Sequence, residues 1–161
     1  MKREAGKCLC GDIRYETTSN PDWVTICSCR FCQRATGGAY LVEPIFPIEA
    51  HDFTSGKPTV YTHRSEGSGK DVYVHFCPKC GTKLCLTFER WPDRLGVFAG
   101  TFDNPNWFDQ NPENTKYIFT STARQGTILP PHFNTFPEHA ATTSGDSLEP
   151  VVFDDYEHIG K

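Results

Sequence analysis

Three cysteines fall within six residues in Cys27-Ser-Cys-Arg-Phe-Cys32, the group in this sequence with the most definite chemistry. At CxCxxC spacing no two of these thiols bridge comfortably, but all three can converge on one ion. Two further clusters flank the trio, CxC at Cys8 and Cys10 and CxxC at Cys77 and Cys80. Four thiolates complete a tetrahedral zinc site, whereas three leave a position open, and that difference separates structural zinc from catalytic zinc. The spacing therefore points to two zinc sites. The closed one uses Cys8, Cys10, Cys77 and Cys80, and the open, more labile one uses Cys27, Cys29 and Cys32. Cys77-Pro-Lys-Cys-Gly81 reads as a zinc knuckle at a hairpin tip, because proline presets one dihedral and glycine tolerates positive φ. Its union with Cys8 and Cys10 is one of two arrangements, since Cys77 and Cys80 could join the central cluster instead.

A zinc ion on three thiolates is a poor Lewis acid, because the sulfurs already donate strongly. Such a centre suits binding an incoming thiol, lowering its pKa and presenting it as a nucleophile at neutral pH. Cys27, Cys29 and Cys32 are thus the candidate catalytic residues, for a small thiol adding to an electrophilic carbon. Two readings compete. The trio could hold a second structural zinc completed by Cys85 or a histidine, which makes the chain a non-catalytic scaffold module. It could also be a redox-sensitive site whose thiols oxidise. Cys85 lies in a strand on the face opposite Leu84 and Leu86, and reads as a small core hydrophobe. Arg30 and Arg34, inside and just after the trio, are candidates to offset its charge or clamp a substrate carboxylate, or are solvated surface residues. The six histidines show no ligand-like spacing. His75, beside Cys77, could support the closed site by hydrogen bonding.

Short strands must position these groups. With 13 glycines and 12 prolines the sequence leaves little room for long helices. Ile13 and Tyr15, then Val72, Val74 and Phe76, then Leu84, Leu86 and Phe88 alternate with other residues as half-buried strands do. Residues 39–46, 95–100 and 116–120 are further extended candidates, with Pro44 marking an edge or bulge in the first. The one helical hint runs from Phe31 to Thr36. The expected architecture is mostly β, of short antiparallel strands stapled by zinc, with little helix. The 161 residues read as a single zinc-binding domain with a core over about 5–125 and an irregular tail over 126–161. A net charge of −4 with no basic stripe argues against nucleic-acid binding. No apolar run approaches membrane-spanning length, and the charged start, Met-Lys-Arg-Glu-Ala-Gly-Lys, does not read as a signal peptide. A cytoplasmic location follows as the expectation, and in that reducing setting clustered cysteines favour metal over disulfides. Oligomeric state is not legible.

The combined pattern resembles a known family. Cys8-Leu-Cys-Gly11, Cys27-x-Cys-x-x-Cys32 with Gly37, Phe76-Cys-x-x-Cys-Gly-Thr82 and Ala99-Gly-Thr-Phe-Asp103 stand in the order seen in glutathione-dependent formaldehyde-activating enzymes and centromere protein V-like proteins. The resemblance covers about residues 5–125. It implies a β-tent fold, a structural zinc on Cys8, Cys10, Cys77 and Cys80, and a catalytic zinc on Cys27, Cys29 and Cys32. It also implies condensation of glutathione with formaldehyde to S-(hydroxymethyl)glutathione, a carbon–sulfur lyase reaction in reverse. This sequence departs from the family pattern at three places. Ser28 stands where a His is common, as does Tyr117, and Gly126-Thr127 stand where a Trp is common.

Overall fold

The computed structural model describes residues 3–160; Met1 and Lys2, the first of the charged leader, and Lys161 lie outside the described residues. The first part of the chain forms β1 (Glu4–Lys7), β2 (Arg14–Thr17), β3 (Trp23–Cys27) and the helix α1 (Arg30–Thr36). There follow β4 (Leu41–Pro47), β5 (His51–Ser55), β6 (Thr59–Arg64), β7 (Asp71–Phe76), β8 (Lys83–Phe88) and β9 (Arg94–Val97). The remainder supplies β10 (Thr115–Ile118) and three two-residue strands, β11 (Ile128–Leu129), β12 (Asn134–Thr135) and β13 (Glu157–His158). Among the described residues the chain is mostly β with one short α-helix, as its alternating segments predict. It divides into two compact units, Met1–Trp23 with Glu43–Asp109 and Val24–Val42 with Gln110–Lys161.

The first unit holds an antiparallel sheet in the order β1-β2-β5 and an antiparallel meander in the order β9-β8-β7-β6. In β4 the register with β9 begins at Ile45, one residue after Pro44, so the missing proline N–H falls outside that pairing. Val74 and Leu86 face each other across β7 and β8, and both are buried. Leu84, Cys85 and Leu86 are consecutively buried, so β8 is covered on both faces rather than on one. The core gathers Ile13, Tyr15, Phe46, Leu84, Leu95 and Val97 around Phe102 and Trp107. Phe46 stacks on Trp107 at 6.1 Å between ring centroids, with Phe102 edge-on to that indole at 5.2 Å.

The second unit is built differently. β3 pairs with β10 in parallel, Val24 opposite Thr115 through Cys27 opposite Ile118, and β10 pairs in parallel with β12. This is an exception to the antiparallel expectation, and it arises because partners so distant in sequence need no tight turn. The stretch after Gln125 contributes β11 and β13, which pair antiparallel, and its Leu129 and Phe136 are buried. Backbone bonds from Phe119 N–H to Glu138 C=O (3.0 Å) and from Phe136 N–H to Tyr117 C=O (2.8 Å) tie this stretch to β10.

Candidate metal centres

Both thiol groups predicted from spacing are assembled, one in each unit. In the first unit the ligand atoms of Cys8, Cys10, Cys77 and Cys80 all lie within 4.8 Å of one another. Cys8 and Cys10 are 3.5 Å apart at sulfur, and Cys10 and Cys77 3.8 Å. Tetrahedral coordination at about 2.3 Å requires sulfurs about 3.8 Å apart, so the four fit a zinc-sized ion. The turns that make this possible follow from glycine. Gly11 (φ 76°) and Gly81 (φ 74°) adopt left-handed backbone, and their N–H groups donate to Cys8 C=O (3.0 Å) and Cys77 C=O (2.8 Å). Ile13 N–H donates to Cys8 sulfur at 3.3 Å, and Thr82 Oγ1 stands 3.1 Å from Cys80 sulfur. The Thr82 hydroxyl, followed by its backbone N–H, brings the Cys80 thiol down to about 5. Cys80 therefore favours thiolate, the form a metal needs, whereas the neighbouring thiols, Cys8 foremost, hold the Cys10 thiol up at about 12.

In the second unit Cys27 ends β3, Cys29 caps α1 and Cys32 lies in its first turn, with all three sulfurs within 4.8 Å. The cap is a thiol, its sulfur accepting the Cys32 N–H at 3.3 Å. Hydrogen bonds from the Cys27 and then the Cys32 thiol hold Cys29 down at about 3. Those same exchanges push Cys27 and Cys32 above the usual thiol range. Cys27 and Cys32 are buried, whereas Cys29 keeps partial exposure.

A residue that spacing rules do not mark holds the trio in shape. Gln33 is buried, and its amide donates to Ser28 C=O (2.6 Å) and Thr122 C=O (2.9 Å). Its carbonyl oxygen accepts from Arg30. The Ser28 carbonyl also takes the Thr122 hydroxyl at 3.1 Å, and Ser28 N–H donates to Ile118 C=O at 3.1 Å. The peptide between Cys27 and Cys29 is thus pinned at both its polar groups. The one signal for Gln33 was a polar side chain adjacent to Cys32 in a helix whose other face is solvated.

The remaining candidates separate cleanly. Arg30 and Arg34 are both exposed, at the first and last turns of α1. Cys85 is 1% exposed within the core of the first unit and belongs to neither thiol group, and burial pushes its thiol up to about 12. His75 has its Nε2 2.9 Å from Thr87 Oγ1, which is its polar contact in place of a cysteine sulfur.

The second unit also contains a cleft of about 250 Å³. Ser28, Tyr40, Gln110, Tyr117 and Thr127 line it. Ile26, Val42 and Ile128 supply its apolar surface. Ser28, Tyr117 and Thr127, the three departures from the family pattern, all fall on this one cleft.

Comparison with known sequences agrees with the thiol pattern. Residues 3–122 match the profile described as glutathione-dependent formaldehyde-activating enzyme. The chain belongs to the glutathione-dependent formaldehyde-activating enzyme family. A Halomonas elongata protein named "Putative glutathione-dependent formaldehyde-activating enzyme" is 27% identical over 106 residues. That alignment spans 62% of this chain and 65% of the relative, so less than two thirds of the relative's length is represented. A crystal structure of a Rhodobacter sphaeroides protein is similar at a TM-score of 0.48 and 18% identity, over 68% of this chain and 92% of that one. Both thiol groups of this family member, the quartet and the trio, lie within the matched residues 3–122.

Proposed function

We propose that the chain is a zinc-dependent enzyme that joins a small thiol such as glutathione to formaldehyde or a related small aldehyde. This is formally the reverse of a carbon–sulfur lyase reaction. The observation that carries this reading is the unequal division of ligand atoms. Four sulfurs cluster in one group and three in the other, and no fourth His, Cys, Asp or Glu joins the trio among the described residues. The quartet matches a closed structural zinc site and the trio an open one. A zinc ion held by Cys27, Cys29 and Cys32 would lower the pKa of a thiol bound to it.

In the reaction the thiol sulfur forms a bond to the aldehyde carbon, the carbonyl π bond opens, and the thiol proton ends on the carbonyl oxygen. The chain's own contribution is to hold and screen. Burial of Cys27 and Cys32 leaves the Cys29 side as the approach to the trio. The Gln33 and Thr122 hydrogen bonds fix the intervening peptide so that three sulfurs keep one geometry. Arg30 and Arg34 place positive charge on the helix that carries Cys32, where either can receive a carboxylate of the thiol substrate. A reducing compartment such as the cytoplasm suits two clustered thiol groups that would bind metal. Among the described residues no helix is long and apolar enough to cross a membrane.

Zinc content and turnover together test the reading. Two zinc ions per chain, falling to one in Cys29→Ala with loss of glutathione-dependent formaldehyde consumption, is the expected result. A zinc-loaded protein that neither binds glutathione nor consumes aldehyde above the buffer rate overturns it.

A further inference from the structure

The cleft in the second unit has a position that the thiol chemistry does not explain. Successive side chains of an extended strand point to opposite faces. Along the segment from Ile26 to Cys29 the assignments alternate, Ile26 and Ser28 lining the cleft while Cys27 and Cys29 belong to the trio. The neighbouring strand matches this on the cleft side, since Tyr117, the register partner of Ile26, also lines the cleft. One thickness of backbone therefore separates the cleft from the thiols. We propose that this cleft is a second binding site, distinct from the trio, which takes a small uncharged molecule with an apolar body and amide, carbonyl or hydroxyl groups.

The lining chemistry selects that class. Ile26, Val42 and Ile128 offer aliphatic surface, whereas Ser28, Tyr40, Tyr117, Gln110 and Thr127 offer hydroxyls and one amide. None of these side chains carries a charge at neutral pH. Burial first, and the neighbouring Tyr40 second, push the Tyr117 phenol up, so it stays a neutral donor. Its ring is held edge-on to Phe133 at 5.6 Å, which keeps the hydroxyl from wandering. An ionised ligand here would leave water without a compensating charge, and that is costly. Neutral ligands meet no such cost. The volume of about 250 Å³ lies below the range of roughly 300–1,000 Å³ typical of sites for drug-sized ligands, so the occupant is small.

Benzamide and benzoate, nearly the same shape but differing in charge, are suitable probes. In ¹⁵N-labelled full-length, zinc-loaded protein, benzamide should shift the amide resonances of Val42, Tyr117 and Ile128 saturably. Benzoate should bind roughly tenfold more weakly or not at all. Tyr117→Phe keeps the ring against Phe133 and should weaken benzamide by about fivefold. Ile128→Trp, at a half-exposed position that tolerates bulk, should block it. Cys29→Ser should leave benzamide affinity within about twofold, because no sulfur lines the cleft. Equal binding of benzoate, shifts confined to Cys27, Cys29 and Cys32, an unaffected Tyr117→Phe or absence of benzamide binding would each overturn the proposal. The inference does not depend on the enzymatic reading. A protein without aldehyde chemistry could still bind benzamide, and the reverse also holds.

Discussion

Gln33 carries more of the candidate site than its type announces. One amide bonds two carbonyls and its oxygen takes Arg30, so truncation removes three hydrogen bonds around the trio at once. Gln33→Ala should lower stability by about 1–3 kcal/mol in urea unfolding and weaken zinc retention at the trio in chelator competition. If zinc retention is unchanged while stability falls, Gln33 is only a structural bridge. Cys85 offers the opposite contrast. Cys85→Ala removes one buried sulfur and should cost roughly 1 kcal/mol or slightly more, while zinc per chain stays the same. A fall in zinc content would make Cys85 a ligand after all. At this scale the sequence was unevenly legible. All seven cysteines of the two thiol groups could be named from CxC, CxCxxC and CxxC spacing, because clustering of near neighbours leaves a local mark. Gln33 left only its place beside Cys32, and Thr122 left no mark, since its Ser28 partner lies 94 residues away.

Elements divide in the same way. β7 and β8 were visible as alternating runs around Cys77-Pro-Lys-Cys80, and the hairpin between them forms with Gly81 in the left-handed turn. α1 was visible as a single turn and extends over Arg30–Thr36, closed by Gly37 at φ 70°. β3 was not visible, because Val24 to Cys27 are buried on both faces and show no period. The cleft was hidden too, being built from five separate stretches of chain. The quartet gathers sulfurs from the β7–β8 tip and the loop before β2, and Cys8 and Cys77 belong to the core of the first unit. Cys29 instead caps a seven-residue helix near the surface. Cys77→Ser should therefore lower the melting temperature far more than Cys29→Ser, in which serine also makes a good helix cap. Differential scanning calorimetry decides this, and equal losses would count against a structural role confined to the quartet.

For the whole molecule, His51 sets an acid limit on stability. Its ring stacks on Tyr15 at 5.0 Å and meets Phe53 edge-on at 4.8 Å. Burial first, and His75 second, pull its pKa from 6.5 down to about 4. Folding accepts the neutral ring, so protonation favours the unfolded chain. The contribution, on the order of 3 kcal/mol, is fully present above about pH 6.5 and is lost as pH falls towards 4. Urea midpoints measured from pH 7.5 to 4.5 should fall less steeply in His51→Phe than in the parent, and parallel slopes would refute this. The parallel pairing of β3 with β10 has a consequence of another kind. The two strands stand about 90 residues apart in the chain, so a ribosome releases Cys27, Cys29 and Cys32 long before their supporting strand exists. During that interval the nascent thiols are exposed to oxidants and to competing metals. Cells making this protein under copper or peroxide stress should accumulate misloaded newly synthesised chains, while molecules already matured are spared.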